Sequence, residues 1–345
     1  MNRTHLPKVK DGFCAAVGNT PLIRLRRLSE ATGCEILGKA EFLNPGGSVK
    51  DRAALGIIED AEAKGLLRPG GVVVEGTAGN TGIGLTQVAK AKGYRCVIVI
   101  PDDQSREKID LLRALGAEVR TVPPAPYKEP GNYNKVAARL AEETPGAFWA
   151  NQFDNTANAD FHFRTTGPEI WEQTGGEVTA FAAAVGTGGT LNGTARYLKG
   201  KNPDVFTVCA DPMGAAMWSW FTHGHLDIDD GDSIAEGIGQ GRVTRNVEGT
   251  PIDKAYRVPD RILIETVYHL LNAEGLFLGT SCGINVAGAV RSALEKGKGQ
   301  VVVTILCDGA QRYQSRLFND EWLRGKDLIP ENWSTARLVD EIAKL

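Results

Sequence analysis

Strand-length runs of β-branched residues alternate with helix-length stretches along most of this chain, and few folds accommodate that rhythm. Gly71 to Glu75 (GVVVE) reads as a buried strand, and Thr81 to Lys92 as the helix after it. Arg95 to Ile100 (RCVIVI) and Ala117 to Val122 are the next strands, with a helix over Ser105 to Leu115 between them. After the Pro/Gly-rich stretch Pro123 to Gly131, a helix resumes at Tyr133 to Glu143. A second series follows: strands at Val178 to Val185, Val205 to Ala210 and Gln300 to Leu306, and helices up to Leu198, at Asp260 to Glu274 and at Asn285 to Glu295. The stretch from Asp211 to Arg257 reads as a long polar loop. Strands that are apolar throughout, each followed by a helix, belong to parallel βαβ units whose sheet is covered on both faces. The pattern predicts two α/β halves that meet near residue 150.

With 345 residues the chain is long enough for two cores. Its 39 basic and 42 acidic residues leave no positive surplus for phosphate backbones, which argues against nucleic acid as a partner. The longest apolar runs are strand-sized, too short to span a bilayer. The first residues, MNRTHLPKVKDG, lack the apolar core of a signal peptide. Six cysteines without a C-x-x-C pair fit reduced, mostly buried thiols and a cytoplasmic location. His223 and His225 have no third ligand at a recognisable spacing, so they read as a solvated loop and no metal is expected.

Glycine is abundant, with 41 residues, and it concentrates in loops that join strands to helices, where open α/β sheets bind their ligands. Asn44 to Arg52 (NPGGSVKDR) places Lys50 in a first helical turn, where the helix dipole favours the neutral amine that Schiff-base chemistry needs. Glu75 to Gly84 (EGTAGNTGIG) offers amides and hydroxyls to a carboxylate or phosphate, but is neither G-x-G-x-x-G nor a P-loop. Val185 to Thr190 (VGTGGT) reads as a phosphate cup without a lysine or arginine, which suits the single phosphate of a tightly held cofactor. In Gly275 to Asn285 (GLFLGTSCGIN), Cys282 is a candidate nucleophile without a partner histidine, and a hydroxyl orienting a cofactor atom is the stronger reading.

Together these segments resemble the fold type II enzymes that use pyridoxal 5'-phosphate (PLP), and within them the cysteine synthases (O-acetylserine sulfhydrylases) and cystathionine β-synthases. The resemblance runs from GNTPLIRL (Gly18 to Leu25) to ILCDGAQRY (Ile305 to Tyr313), through NQFDNTANADFHFRTTGPEIW (Asn151 to Trp171) and EGIGQG (Glu236 to Gly241). It implies two doubly wound α/β domains with the cofactor in the cleft between them, as in the tryptophan synthase β subunit. The expected division is 36–150, then 12–35 with 151–320, then an extension over 321–345. It further implies that Lys50 forms the Schiff base and acts as general base, and that Asn80 bonds the ring hydroxyl. Gly186, Thr187, Gly188, Gly189 and Thr190 would hold the phosphate, and Ser281 would face the pyridine nitrogen. The substrate contacts it implies are Thr77, Ala78, Gly79, Asn80, Thr81, Gln152 and Gly237. A serine at the ring nitrogen makes a milder electron sink than a carboxylate, which suits replacement at Cβ.

The implied reaction is cysteine synthesis from O-acetylserine and sulfide, in a homodimer that needs neither nucleic acid nor membrane. β-Elimination, as in a cysteine desulfhydrase, is the alternative on the same cofactor. Intact Lys50 and Asn80 argue against a non-catalytic binding module, and the absence of G-x-G-x-x-G against a nucleotide-binding oxidoreductase. Three positions depart from the family pattern: Ala78 for a common serine, Cys282 for serine or alanine, and Cys307 for proline. Arg242 and Arg245 add cations near the expected mouth of the site, either to attract an anionic substrate or simply to face solvent.

Overall fold

The computed structural model describes residues 9–77, 79–104, 106–228 and 231–345. Its strands are β1 (Leu22–Arg24), β2 (Glu35–Lys39), β3 (Val72–Gly76), β4 (Arg95–Pro101), β5 (Glu118–Val122), β6 (Ala147–Trp149), β7 (Ala180–Ala183), β8 (Phe206–Pro212), β9 (Lys254–Val258) and β10 (Val301–Ile305). They form two sheets, β5-β4-β3-β6 and β1-β2-β10-β7-β8-β9. All pairings are parallel except β1 with β2.

The apolar strands are explained by what covers them. Val73 of β3 packs with Ile57, Ile58 and Ile83 on one face of the smaller sheet. Val72 and Val74 pack with Ala137 and Val136 on the other. The larger sheet repeats this, with Val302 on the side of the helices Asp260–Glu274 and Thr280–Lys296, and Val303 and Ile305 on the opposite side. With both faces buried, the positions of these inner strands favour apolar residues.

Three expectations need correction. Strand β2 pairs with β10 in the larger sheet, so its residues do not open the 36–150 unit. The stretch Asp211 to Arg257 is not all loop, since it holds the helix Met217–His223 and most of β9. The final long helix begins at Thr280 rather than Asn285, which puts Ser281 and Cys282 in its first turn. No helix among the described residues is long and apolar enough to cross a membrane.

Candidate active site

A cavity of about 630 Å³ opens where β3, β7 and β10 end, and segments from both sheets line it. The sequence points to Lys50, and the structure places it there, as the first residue of the helix Lys50–Ala63. Its N–H donates to Ser48 Oγ at 3.2 Å, and the Val49 N–H donates to the Cys307 carbonyl at 2.9 Å. These bonds tie the helix start to the end of β10. Two residues on, the fully buried Arg52 donates to Glu41 at 2.7 and 2.8 Å and to Glu169 at 2.8 and 2.7 Å. Lys39 completes the cluster, 2.7 Å from Glu169. Burial alone would raise the Glu41 carboxyl, but the Arg52 charge and hydrogen bonds outweigh it and hold Glu41 at about 2. Such a cluster is costly to desolvate and costlier to break, so it fixes the turn that presents Lys50.

Thr77, Gly79, Asn80, Thr81 and Gln152 also line the cavity, while Ala78 lies outside the described residues. The Thr81 hydroxyl donates to Gln152 Oε1 at 2.5 Å, and Gln152 Nε2 reaches Glu75 Oε1 at 3.3 Å. Burial pushes the Glu75 carboxyl up to about 8 against these hydrogen bonds. Asn80 Nδ2 donates to Asp308 Oδ2 at 2.6 Å, and Arg312 donates to Asn80 Oδ1. The Tyr313 hydroxyl donates to the same Asp308 oxygen at 2.5 Å.

The cup follows β7 and ends in the helix Gly189–Lys201. Gly186 and Thr187 line the cavity, and Gly188, Gly189 and Thr190 continue into the helix. The glycines are required by space and backbone. A Cβ on Gly189 would lie 2.2 Å from Asn158 Oδ1, one on Gly186 2.4 Å from the Gly237 carbonyl, and Gly188 has φ +95°. The Thr187 hydroxyl accepts from Asn158 Nδ2 at 2.9 Å. Thr190 Oγ1 lies 3.1 Å from Nε2 of His162, whose other ring nitrogen meets Thr166 Oγ1 at 2.8 Å. Burial, reinforced by the Arg52 charge, lowers His162 to about 3 and leaves it neutral. A helix N-terminus bounded by amides, hydroxyls and small residues fits a phosphate monoester. With the Lys50 amine in the same cavity, the donor set matches a cofactor that carries both a phosphate and an aldehyde.

Gly237 and Ser281 line the same space, and Cys307 is partly exposed beside them. Cys282 does not line it. Its thiol is fully buried, burial raises it well above the usual range, and its sulfur accepts from the Cys307 N–H at 3.1 Å. Those features remove the nucleophile reading. Arg242 lines the mouth, but both its terminal nitrogens bind Asp154, at 3.0 and 2.8 Å, and it stacks 4.8 Å from the Tyr127 ring centroid. Its charge is thus already matched. Arg245 is exposed, and so are His223 and His225, which stack on each other. Lys108, Glu236 and Tyr313 also face the cavity and were not anticipated. A lysine beside Ile109 on the face that buries Leu112 was the available signal.

The model of the family described as "Pyridoxal-phosphate dependent enzyme" matches residues 14–308. "Cysteine synthase 1" of Neurospora crassa is 56% identical over 96% of this chain and 90% of its own length. "Cysteine synthase 1" of Emericella nidulans is 55% identical over 92% of this chain and 87% of its own. Among solved structures, an O-ureido-L-serine synthase superposes with a TM-score of 0.82 at 36% identity, covering 92% of this chain and 99% of that one.

Proposed function

The chain belongs to the pyridoxal-phosphate-dependent enzymes, and from that premise we propose that it makes cysteine from O-acetylserine and sulfide by replacement at Cβ. The observation that carries this reading is that one cavity is shared by the Lys50 amine, the Gly186–Thr190 cup and the Thr77–Thr81 loop with Gln152.

In this reading Lys50 would hold the aldehyde carbon, the cup the phosphate, and Ser281 the ring nitrogen. Asn80 would turn its amide to the ring hydroxyl, exchanging one of its bonds to Asp308 or Arg312. When bound, pyridoxal phosphate supplies an electron sink conjugated to the substrate Cα. The protein supplies the rest. Thr77, Gly79, Thr81 and Gln152 orient the substrate carboxylate, and buried Glu75 keeps the Gln152 amide from turning. The freed Lys50 amine takes the Cα proton as acetate leaves, and gives it back once sulfide has added. Gly237, whose carbonyl abuts Gly186, closes the wall on the substrate side.

Six free thiols support a reducing, cytoplasmic setting, and a closed twofold dimer is the assembly proposed on general frequency. Cysteine breakdown by β-elimination is the second reading, and Ala78, standing where the family commonly has serine, bears on which of the two reactions wins. The test is product analysis of the purified protein with O-acetylserine plus sulfide and with cysteine alone. Cysteine formation in the first mixture supports the proposal, and release of pyruvate and sulfide only in the second overturns it.

A further inference from the structure

Thr77, Gly79, Asn80, Thr81 and Gln152 offer only neutral groups to the cavity, yet an amino-acid substrate brings a full negative charge to them. Among the described residues four cations line the cavity: Lys50, Lys108, Lys128 and Arg242. Lys50 is assigned to the cofactor, Arg242 is matched by Asp154, and Lys128 stands exposed at the rim. Lys108 differs from all of these. Its side chain is 4% exposed, on the buried face of the helix Arg106–Ala114, and what remains open faces the cavity.

We propose that Lys108 binds the substrate carboxylate, and that Glu236 holds its ammonium until the substrate takes it over. This inference rests on reading the cavity as an amino-acid site. Lys108 Nζ lies 3.5 Å from where a Gly79 Cβ would stand, so a carboxylate seated on the loop comes within charge contact. In the structure the ammonium pairs with Glu236 and sits 5.2 Å from the centroid of the Tyr313 ring. Glu236 does not depend on that pair, because Arg316 Nη1 lies 3.3 Å from its other oxygen. Trading one carboxylate for another keeps every buried charge matched, so the exchange avoids the penalty of an orphaned ion.

The test titrates holoenzyme with L-serine, which has the carboxylate but no good leaving group, and reads the cofactor absorbance. Steady-state KM and kcat for O-acetylserine with sulfide accompany it. Lys108→Met should weaken serine binding by about tenfold or more, as expected for a lost hydrogen bond to a charged group, and Lys108→Arg should restore part of it. Glu236→Gln should tighten serine binding, because the competitor for the ammonium is gone. Cofactor affinity should not change in any variant. If Glu236→Gln weakens serine binding alongside Lys108→Met, the pair is only a latch and the inference fails. It also fails if Lys108→Met leaves serine binding unchanged. A wild type that binds serine but makes no cysteine would overturn the proposed reaction alone, whereas one that makes cysteine without binding serine would overturn this inference alone.

Discussion

Asn80 and Asp308 stand 228 positions apart in the chain, yet the Asn80 amide donates to the Asp308 carboxylate at 2.6 Å. The bond joins the first residue of the helix that follows β3 to the segment that follows β10. The cavity wall is therefore continuous across the two sheets, and the loops on either side of it are set by one another.

Lys50→Ala should abolish turnover and leave the fold intact. Alanine is the best helix former, and the Arg52 cluster that holds this helix start is untouched. Multiple-turnover activity in the purified variant, with a wild-type circular dichroism spectrum, would remove Lys50 from the chemistry.

Ser281→Ala should retain the cofactor but shift its absorbance and lower kcat, because the small, buried hydroxyl faces the cavity. An unchanged spectrum and rate would place the ring nitrogen elsewhere.

Gly189→Ala should weaken cofactor binding more than it weakens the fold. The added methyl would enter the space of Asn158 Oδ1, and Asn158 is the donor that orients Thr187. Equilibrium dialysis of the cofactor against both proteins measures the effect, and equal affinity would refute the cup.

Glu75 gives stability a pH dependence whose sign is fixed. Its folded-state value of about 8 lies above the ordinary carboxylate range, so the folded protein holds a proton that the unfolded chain has released. The stability this contributes is complete below about pH 4 and is lost as pH rises through about 8. Glu75→Gln keeps the acceptor for Gln152 and removes the titration. Urea melts from pH 5 to 9 should show wild type losing on the order of a few kcal/mol relative to this variant. Parallel curves would mean that Glu75 does not titrate there.

Glu169→Ala should cost about 3 kcal/mol, because Arg52 and Lys39 both lose a buried partner. The denaturant midpoint reads this directly, and a shift below about 1 kcal/mol would show that solvent rescues the cations.

The elements that could be read from the sequence are those whose pattern is local. GVVVE and RCVIVI are apolar on both faces and end in glycine or proline, so β3 and β4 stood out. Strand β2 is five residues, EILGK, with a glycine inside, and its parallel partner β10 begins at Val301. No local period reveals such a pairing. The helix Met217–His223 is short and carries no acidic residue in its first turn, so no local signal separates it from the surrounding polar loop. The site followed the same rule. Glycine-rich loops mark themselves because close backbone approach requires them. Lys108, Glu236 and Tyr313 are ordinary residues in sequence and meet only when distant segments fold together. Arg242 was visible but not its partner Asp154, which lies 88 positions earlier.

The pairing of β2 with β10 sets the order in which the protein can be made. As the chain leaves the ribosome, the smaller sheet is complete once Trp149 has emerged, and it can fold as a unit. Strand β2 must wait for residues beyond 300. Lys50 and the cup therefore cannot face each other until β10 has emerged, and a chain truncated before it has no finished pocket in which to capture the cofactor.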